Sequence, residues 1–224
     1  MRTLSSPLTL PLRDAQLAAD LLFPEEAAGL VVFVHGSGSS RSSPRNRQVA
    51  RYFSDRGLAT LLFDLLTEDE YEVDRITREL RFDIPLLTRR LLGVIDWLGT
   101  RAELQRLRLG LSGASTGAAA ALLAAAERPE RVSAVVSRGG RTDLAGPALE
   151  QVKAPTLQIV GGDDPVVLDL NREVGRQLRC EQRLAVVPGA THLFEEPGTL
   201  EEVCRLAGDW FLRYLGAGGD RPSV

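Results

Sequence analysis

Ser115, Asp164 and His192 are a hydroxyl, a carboxylate and an imidazole, and in that order each follows a different apolar run of the chain. A serine hydroxyl is a weak nucleophile at neutral pH and needs an imidazole base within hydrogen-bond reach. The imidazole in turn needs a carboxylate to fix its tautomer and stabilise its charged form. These residue types point to acyl transfer through a covalent serine intermediate. Ser115 lies in Gly113-Ala114-Ser115-Thr116-Gly117, a G-x-S-x-G pattern whose small residues relieve crowding on a tight strand-to-helix turn. A helix-forming alanine run starts right after Gly117, so the first helical N–H groups lie beside Ser115, where they can bind an oxyanion.

Other residues compete for each role. Ser112, in Gly110-Leu111-Ser112-Gly113-Ala114, nearly fits the same pattern but belongs to the end of the strand, one pleat before the turn. The chain has two histidines. His35 comes too early, between an apolar run and the glycine-rich "GSGSS", and is read as shaping that loop. His192, in "PGATHLFEEPG", follows the last strand-like run and is the expected base. The segment "VGGDDPVV" offers both Asp163 and Asp164. A chain leaving a strand on two glycines favours Asp164 turning back toward His192, with Asp163 as its solvated neighbour. Glu195 and Glu196 read as a solvated pair. "HGSGSSR" lacks the third glycine of a dinucleotide fingerprint and no Gly-Lys-Ser/Thr occurs, so nucleotide binding is not expected.

Bringing three separate loops together requires a scaffold, and its elements are legible. Leu30–Val34, "LVVFV", is a continuous apolar run, as a strand buried on both faces requires. Pro44 to Arg56 reads as a helix with Val49, Ala50 and Phe53 on one stripe. The alternation repeats through strands at 58–63, 106–112, 132–137, 156–160 and 183–188. Helices are expected near 86–98, after Gly117, near 167–178 and near 200–215. Leu8–Leu12 and Gln16–Phe23 read as edge strands. Strands alternating with helices of this length predict an α/β fold with a mainly parallel sheet covered on both faces. No linker or repeat interrupts the 224 residues, so a single domain over 1–224 is expected. A hydrophobic content of 44% supplies an ordinary core, and 27 basic against 30 acidic residues argue against a nucleic-acid partner. The longest apolar run, 117–126, is too short to span a bilayer. Residues 1–16 lack the unbroken apolar core of a signal peptide, and two cysteines, Cys180 and Cys204, are too few for a disulfide framework. A cytoplasmic location is the expectation.

The segments "VVFVHGSGSSRSSPRN", "GASTG", "VGGDDPVV" and "GATHLF", with the order Ser, Asp, His, together resemble the dienelactone-hydrolase-like branch of the α/β-hydrolase superfamily. The resemblance runs from about Leu30 to about Leu215. It implies a central sheet of eight strands with one antiparallel strand near the start. It also implies an oxyanion hole from the backbone N–H groups of Thr116 and Ser37. Dienelactone hydrolases proper use a cysteine nucleophile, so Ser115 implies a generic serine esterase rather than the dienelactone substrate. Cap domains in this superfamily follow the strand after the elbow helix, and the connection from Ser137 to Pro155 is too short for a large one.

The expected activity is therefore hydrolysis of small ester, lactone or thioester substrates, with no cofactor and no metal. An amidase or acyltransferase using the same triad, and a binding protein on the same fold, are the alternatives. The expected pocket walls are 37–47, 64–75 and 138–148. "TEDEYEVD" (67–74) reads as a solvated helix held by charge pairs, or as an overhang on the site. Arg45, Arg138 and Arg141 crowd the same side as Ser115 and could hold a substrate anion. Lys153 is the only lysine, however, so arginine is this chain's ordinary surface cation and clusters of it arise easily.

Overall fold

The computed structural model describes residues 3–216. Eight strands form one sheet: β1 (Thr3–Pro11), β2 (Gln16–Pro24), β3 (Leu30–Val34), β4 (Ala59–Phe63), β5 (Leu109–Ala114), β6 (Val132–Arg138), β7 (Thr156–Gly161) and β8 (Gln182–Val187). Their spatial order is β1-β2-β4-β3-β5-β6-β7-β8. β2 runs antiparallel to both its neighbours, and the pairs from β4 to β8 are parallel. This is the eight-stranded α/β sheet with one antiparallel strand near its start. Gln16–Pro24 is not an edge strand, however. The long hairpin Thr3–Pro11 pairs along all of it and takes the edge, because β2 exposes a backbone ladder that a folded-back neighbour satisfies.

The period-2 alternation of β3 sends its side chains to two cores. Leu30, Val32 and Val34 join the cluster under α3 (Ile84–Gly99) and α4 (Thr116–Glu127). Val31 and Phe33 join the cluster under α1 (Pro44–Asp55) and α6 (Thr199–Leu215). Helices thus cover both faces, as the continuous apolar run of β3 demands. Two further helices, α2 (Glu68–Thr77) and α5 (Pro165–Gln177), lie at the ends of β4 and β7. α2 is the acidic segment, and Thr67 and Glu70 form a reciprocal capping box at its start. The connection after β6 holds a 3₁₀ segment, Thr142–Gln151, which packs against α4, and no cap domain occurs among the described residues. No helix among them is long and apolar enough to cross a membrane. The expected 1–224 domain runs past the described residues at both ends.

Two local constraints fix the loops that matter. At the β5–α4 junction, a Cβ on Gly117 would overlap the carbonyl oxygen of Val34 and press on that of His35. A Cβ on Gly113 would stand 2.5 Å from Ala118 Cα. The alanine helix can therefore enter tightly against β3 only if both positions lack side chains. Beside it, His35 ties the end of β3 to the end of β4. Its Nδ1–H donates to Gly36 O at 3.0 Å, and its Nε2 accepts from Leu65 N–H at 3.1 Å. Protonation of Nε2 would set two donors against each other. Desolvation lowers the His35 pKa below 6.5, only partly opposed by the Gly36 carbonyl and Asp64.

Gly117→Ala is expected to lower the urea midpoint, with a loss of roughly 1–3 kcal/mol from overpacking against carbonyls that cannot yield. His35 gives a pH signature. With the native pKa depressed, the unfolded chain binds a proton below pH about 6.5 that the native state refuses. Stability on this account is full above that pH and falls as the pH drops below it, by up to about 1.4 kcal/mol per pH unit. Denaturant titrations between pH 7 and 5 should show a slope that is shallower in His35→Asn.

Candidate active site

Ser115 occupies the junction between β5 and α4 with φ 48° and ψ −122°. A non-glycine residue rarely adopts such a conformation, which costs of order 1–3 kcal/mol and persists only where the surroundings over-determine it. They do so here. Ser115 N–H donates to Arg138 O at 3.2 Å, and Ser115 O accepts from Ala118 N–H at 3.1 Å and Arg141 N–H at 3.0 Å. The turn lifts the Ser115 side chain into a cavity of about 580 Å³, which His192 also lines. Ser112, in contrast, sits within the β5 ladder, in register with Phe33 and Val136, and does not line this cavity.

The loop after β8 carries His192, whose Nδ1 lies 2.7 Å from Asp164 Oδ2. Asp164 is mostly buried at the start of α5, while Asp163 is exposed and uses its N–H to hold Ala190 O. A carboxylate accepting the Nδ1 proton leaves Nε2 free to take another. The histidine loop is fixed from two sides. Gly139, at φ 53°, stands where a Cβ would approach the His192 ring to 3.4 Å. Glu196 accepts from Thr191 N–H at 3.1 Å and Thr191 Oγ1 at 2.6 Å, and these bonds draw its pKa down. Glu195 and Glu196 are therefore not a merely solvated pair, since Glu195 also ion-pairs with Arg45 at 2.7 Å. The signal for Glu196 was present, because an acid five residues past a threonine can close a loop onto it.

The glycine-rich loop after β3 forms the facing wall. Ser37 lines the cavity, but its N–H donates to Thr116 Oγ1 at 3.0 Å. This bond joins two segments 79 residues apart and ties the loop to the first residue of α4. The side chain of Thr116 was invisible as a participant from the sequence alone. Of the three arginines, Arg45 and Arg138 line the cavity and Arg141 does not. Arg141 is engaged by Asp143 in a two-pronged pair, 2.9 Å on each side, so it is not placed to hold a substrate. Arg138 donates to Asn46 Oδ1 at 2.8 Å. Desolvation, then repulsion from Arg45, lowers its pKa to about 10, so it remains a cation at neutral pH.

Loop 36–40 has a second cavity on its other side, also of about 580 Å³, that contains neither Ser115 nor His192. Residues of α2 and Arg81 line it, and Arg41–Asp64 at 2.8 Å and Arg81–Asp74 at 2.7 Å brace it. The acidic segment 67–74 therefore overhangs this second cavity rather than the one at Ser115. Of the expected third wall, 138–148, only Arg138 reaches the Ser115 cavity. The 3₁₀ segment folds the rest back against α4.

A crystal structure of dienelactone hydrolase from Anabaena variabilis ATCC 29413 is 53% identical, with a TM-score of 0.94 over 96% of this chain and 100% of that one. Est1E from Butyrivibrio proteoclasticus shares the fold at 17% identity, with a TM-score of 0.78 over 94% of this chain and 99% of that one. Two curated relatives from Mycobacterium tuberculosis, each named "Putative phosphoribosyl transferase", are 54% identical over 214 residues. That match covers 92% of this chain and 47% of theirs, so the chain spans about half their length. The model of the dienelactone hydrolase family matches residues 17–207, and with it the chain is assigned: it belongs to the dienelactone hydrolase family and has the α/β-hydrolase fold.

Proposed function

We propose that this chain is a serine hydrolase of small esters, lactones or thioesters. The observation that carries the reading is the 2.7 Å contact between His192 Nδ1 and Asp164 Oδ2, in a histidine that shares one cavity with a serine on a strained turn. In the proposed reaction His192 Nε2 takes the hydroxyl proton of Ser115 as Oγ attacks the scissile carbonyl. Asp164 holds the imidazole in the Nδ1–H form and stabilises the imidazolium. The carbonyl oxygen becomes an oxyanion, held by the N–H of Thr116 at the start of α4 and by the N–H of Ser37. Ser37 must then share the N–H that otherwise goes to Thr116 Oγ1. Collapse expels the alcohol or thiol, which takes the proton from His192. Water, deprotonated by the same imidazole, then releases the acid and restores Ser115.

The phosphoribosyl transferase name belongs to proteins about twice as long and is not carried over. Amide cleavage and acyl transfer would use the same triad, so assays with matched ester, lactone, thioester and amide substrates rank them by kcat/KM.

A fluorophosphonate probe should label the wild-type chain once and fail to label Ser115→Ala, which should remain folded with kcat lower by about a thousandfold or more. Labelling retained in Ser115→Ala and lost in Ser112→Ala would overturn the assignment. Asp164→Asn should keep the fold and lower kcat by about 10³–10⁴ through the wrong tautomer. The cavity at Ser115 is walled largely by serines, Asn46 and two arginines, with Leu193 as its one large apolar side chain. Each methylene that finds apolar cover adds about 0.8 kcal/mol, so kcat/KM should rise with acyl length and then level off early. With p-nitrophenyl esters the optimum is expected at about two to six carbons, the reach of an ordinary small-ligand cavity.

A further inference from the structure

α2 carries its amphipathic pattern turned outward. Its one buried residue is Asp74, and charge holds its inner side to the body of the protein. Asp74 accepts from Arg81 Nε at 2.7 Å, and Glu70 pairs with Arg90 of α3 at 2.5 Å. Asp69, Glu72, Val73 and Ile76 stand at i, i+3, i+4 and i+7, so they share one face of the helix, and all four are exposed. Ile76 is 81% exposed and Val73 54%. Phe82, on the 3₁₀ turn Leu80–Phe82 that Arg81 ties to α2, is 56% exposed. One exposed apolar side chain is ordinary, but a surface helix normally turns its apolar stripe to the core. Ten residues are also too few for a helix to persist on propensity alone, so an uncovered apolar face on so short an element is where a partner would add most.

The charge along the helix selects the partner. Glu68, Asp69 and Glu72 lie in its first half, and Arg75 and Arg78 at its end. Asp69 and Arg78 enter no ion pair among the described residues, and the pair Glu72–Arg75, at 3.2 Å, is exposed. A uniformly charged partner would match one end of such a helix and repel the other. A copy of the same helix laid antiparallel matches both ends, as a self-complementary two-fold contact requires. We propose that this face docks a second copy of this chain. Val73 and Ile76 of the two protomers pack across a two-fold axis, and the acidic start of each α2 lies against the basic end of the other. The contact is small beside the roughly 1,200–2,000 Å² of a stable interface, so the dimer is a weak one, with Kd on the order of 10–100 μM. No residue of α2 lines the cavity at Ser115, so the inference does not depend on the hydrolase reading.

Sedimentation velocity of the full chain over about 5–500 μM should show a reversible monomer–dimer equilibrium that weakens at high salt. Ile76→Asp, which puts a charge at the centre of the contact, should raise Kd by about tenfold or more. Two double variants reverse the charge of one end each: Asp69→Lys with Glu72→Lys, and Arg75→Glu with Arg78→Glu. Either alone should raise Kd by about tenfold or more, because like charges then face each other across the axis. Mixed one to one, the two should pair at close to wild-type strength, since each end again meets its opposite. A variant that merely disturbs the helix would not regain pairing on mixing. Circular dichroism and urea midpoints check that each variant is folded, and Ile76→Asp carries the test should a double reversal unfold. Wild type that stays monomeric throughout overturns the proposal and leaves the face to a different protein. A dimer whose Kd is unchanged in folded Ile76→Asp, or that is not restored on mixing the two folded reversals, overturns it too and puts the interface elsewhere.

Discussion

The backbone at Ser115 is the constraint on which the rest of the site depends. At φ 48° and ψ −122° the residue projects its hydroxyl from the end of β5, and nothing local to serine favours that conformation. It is imposed by close approach. Gly113 and Gly117 let α4 start against β3, and a Cβ on Gly36 would stand 3.0 Å from Ser115 Cβ. Three glycines from two segments thus let the glycine-rich loop and the elbow interlock. The bond from Ser37 N–H to Thr116 Oγ1 then fastens one to the other. The strain at one residue is offset by the packing of two cores, which is how a small domain can hold a serine in an unfavourable backbone region.

The alanine helix follows from the same demand. α4 is covered by the sheet, by α3 and by the 3₁₀ segment, and Ala118 to Ala121 are fully buried. A helix buried all round needs apolar side chains on every face. Here they must also be small, because the elbow brings the helix axis close to β3. Alanine meets both needs with the highest helix propensity. The helix therefore starts without a side-chain cap, and its first N–H groups stay available beside Ser115.

Charge is distributed unequally between the two cavities that share loop 36–40. On the α2 side, arginines pair with carboxylates, as in Arg41–Asp64 and Arg81–Asp74. On the Ser115 side, Arg45 pairs with Glu195 at the rim and Arg138 is left with Asn46. The same loop therefore separates a cavity lined by both signs of charge from one whose lining carries arginines and no carboxylate. That difference follows from which strand ends carry acids. Asp64 follows β4 and faces the α2 side, whereas Asp164 follows β7 and is taken up by His192.

The strand and helix alternation was legible in the sequence because it is a local pattern. A short continuous apolar run such as Leu30–Val34, ended by His35-Gly36, reads as a strand covered twice, and an alanine run after a glycine-flanked serine reads as a helix entered through a tight turn. The order of Ser115, Asp164 and His192 was legible for the same reason, since each closes a strand-like run. The tertiary structure alone decided the rest, because those contacts join residues far apart in the chain. β2 became an interior strand when Thr3–Pro11 folded back along it. Ser37 N–H was claimed by Thr116, 79 positions away, and Arg138 met Asn46 across 92. Arg141, three residues after Arg138, was withdrawn by Asp143. What separates the two arginines is direction. One ends a strand facing the cavity and the other starts a 3₁₀ turn facing away, and that direction is set by packing against α4, which no spacing of residues encodes.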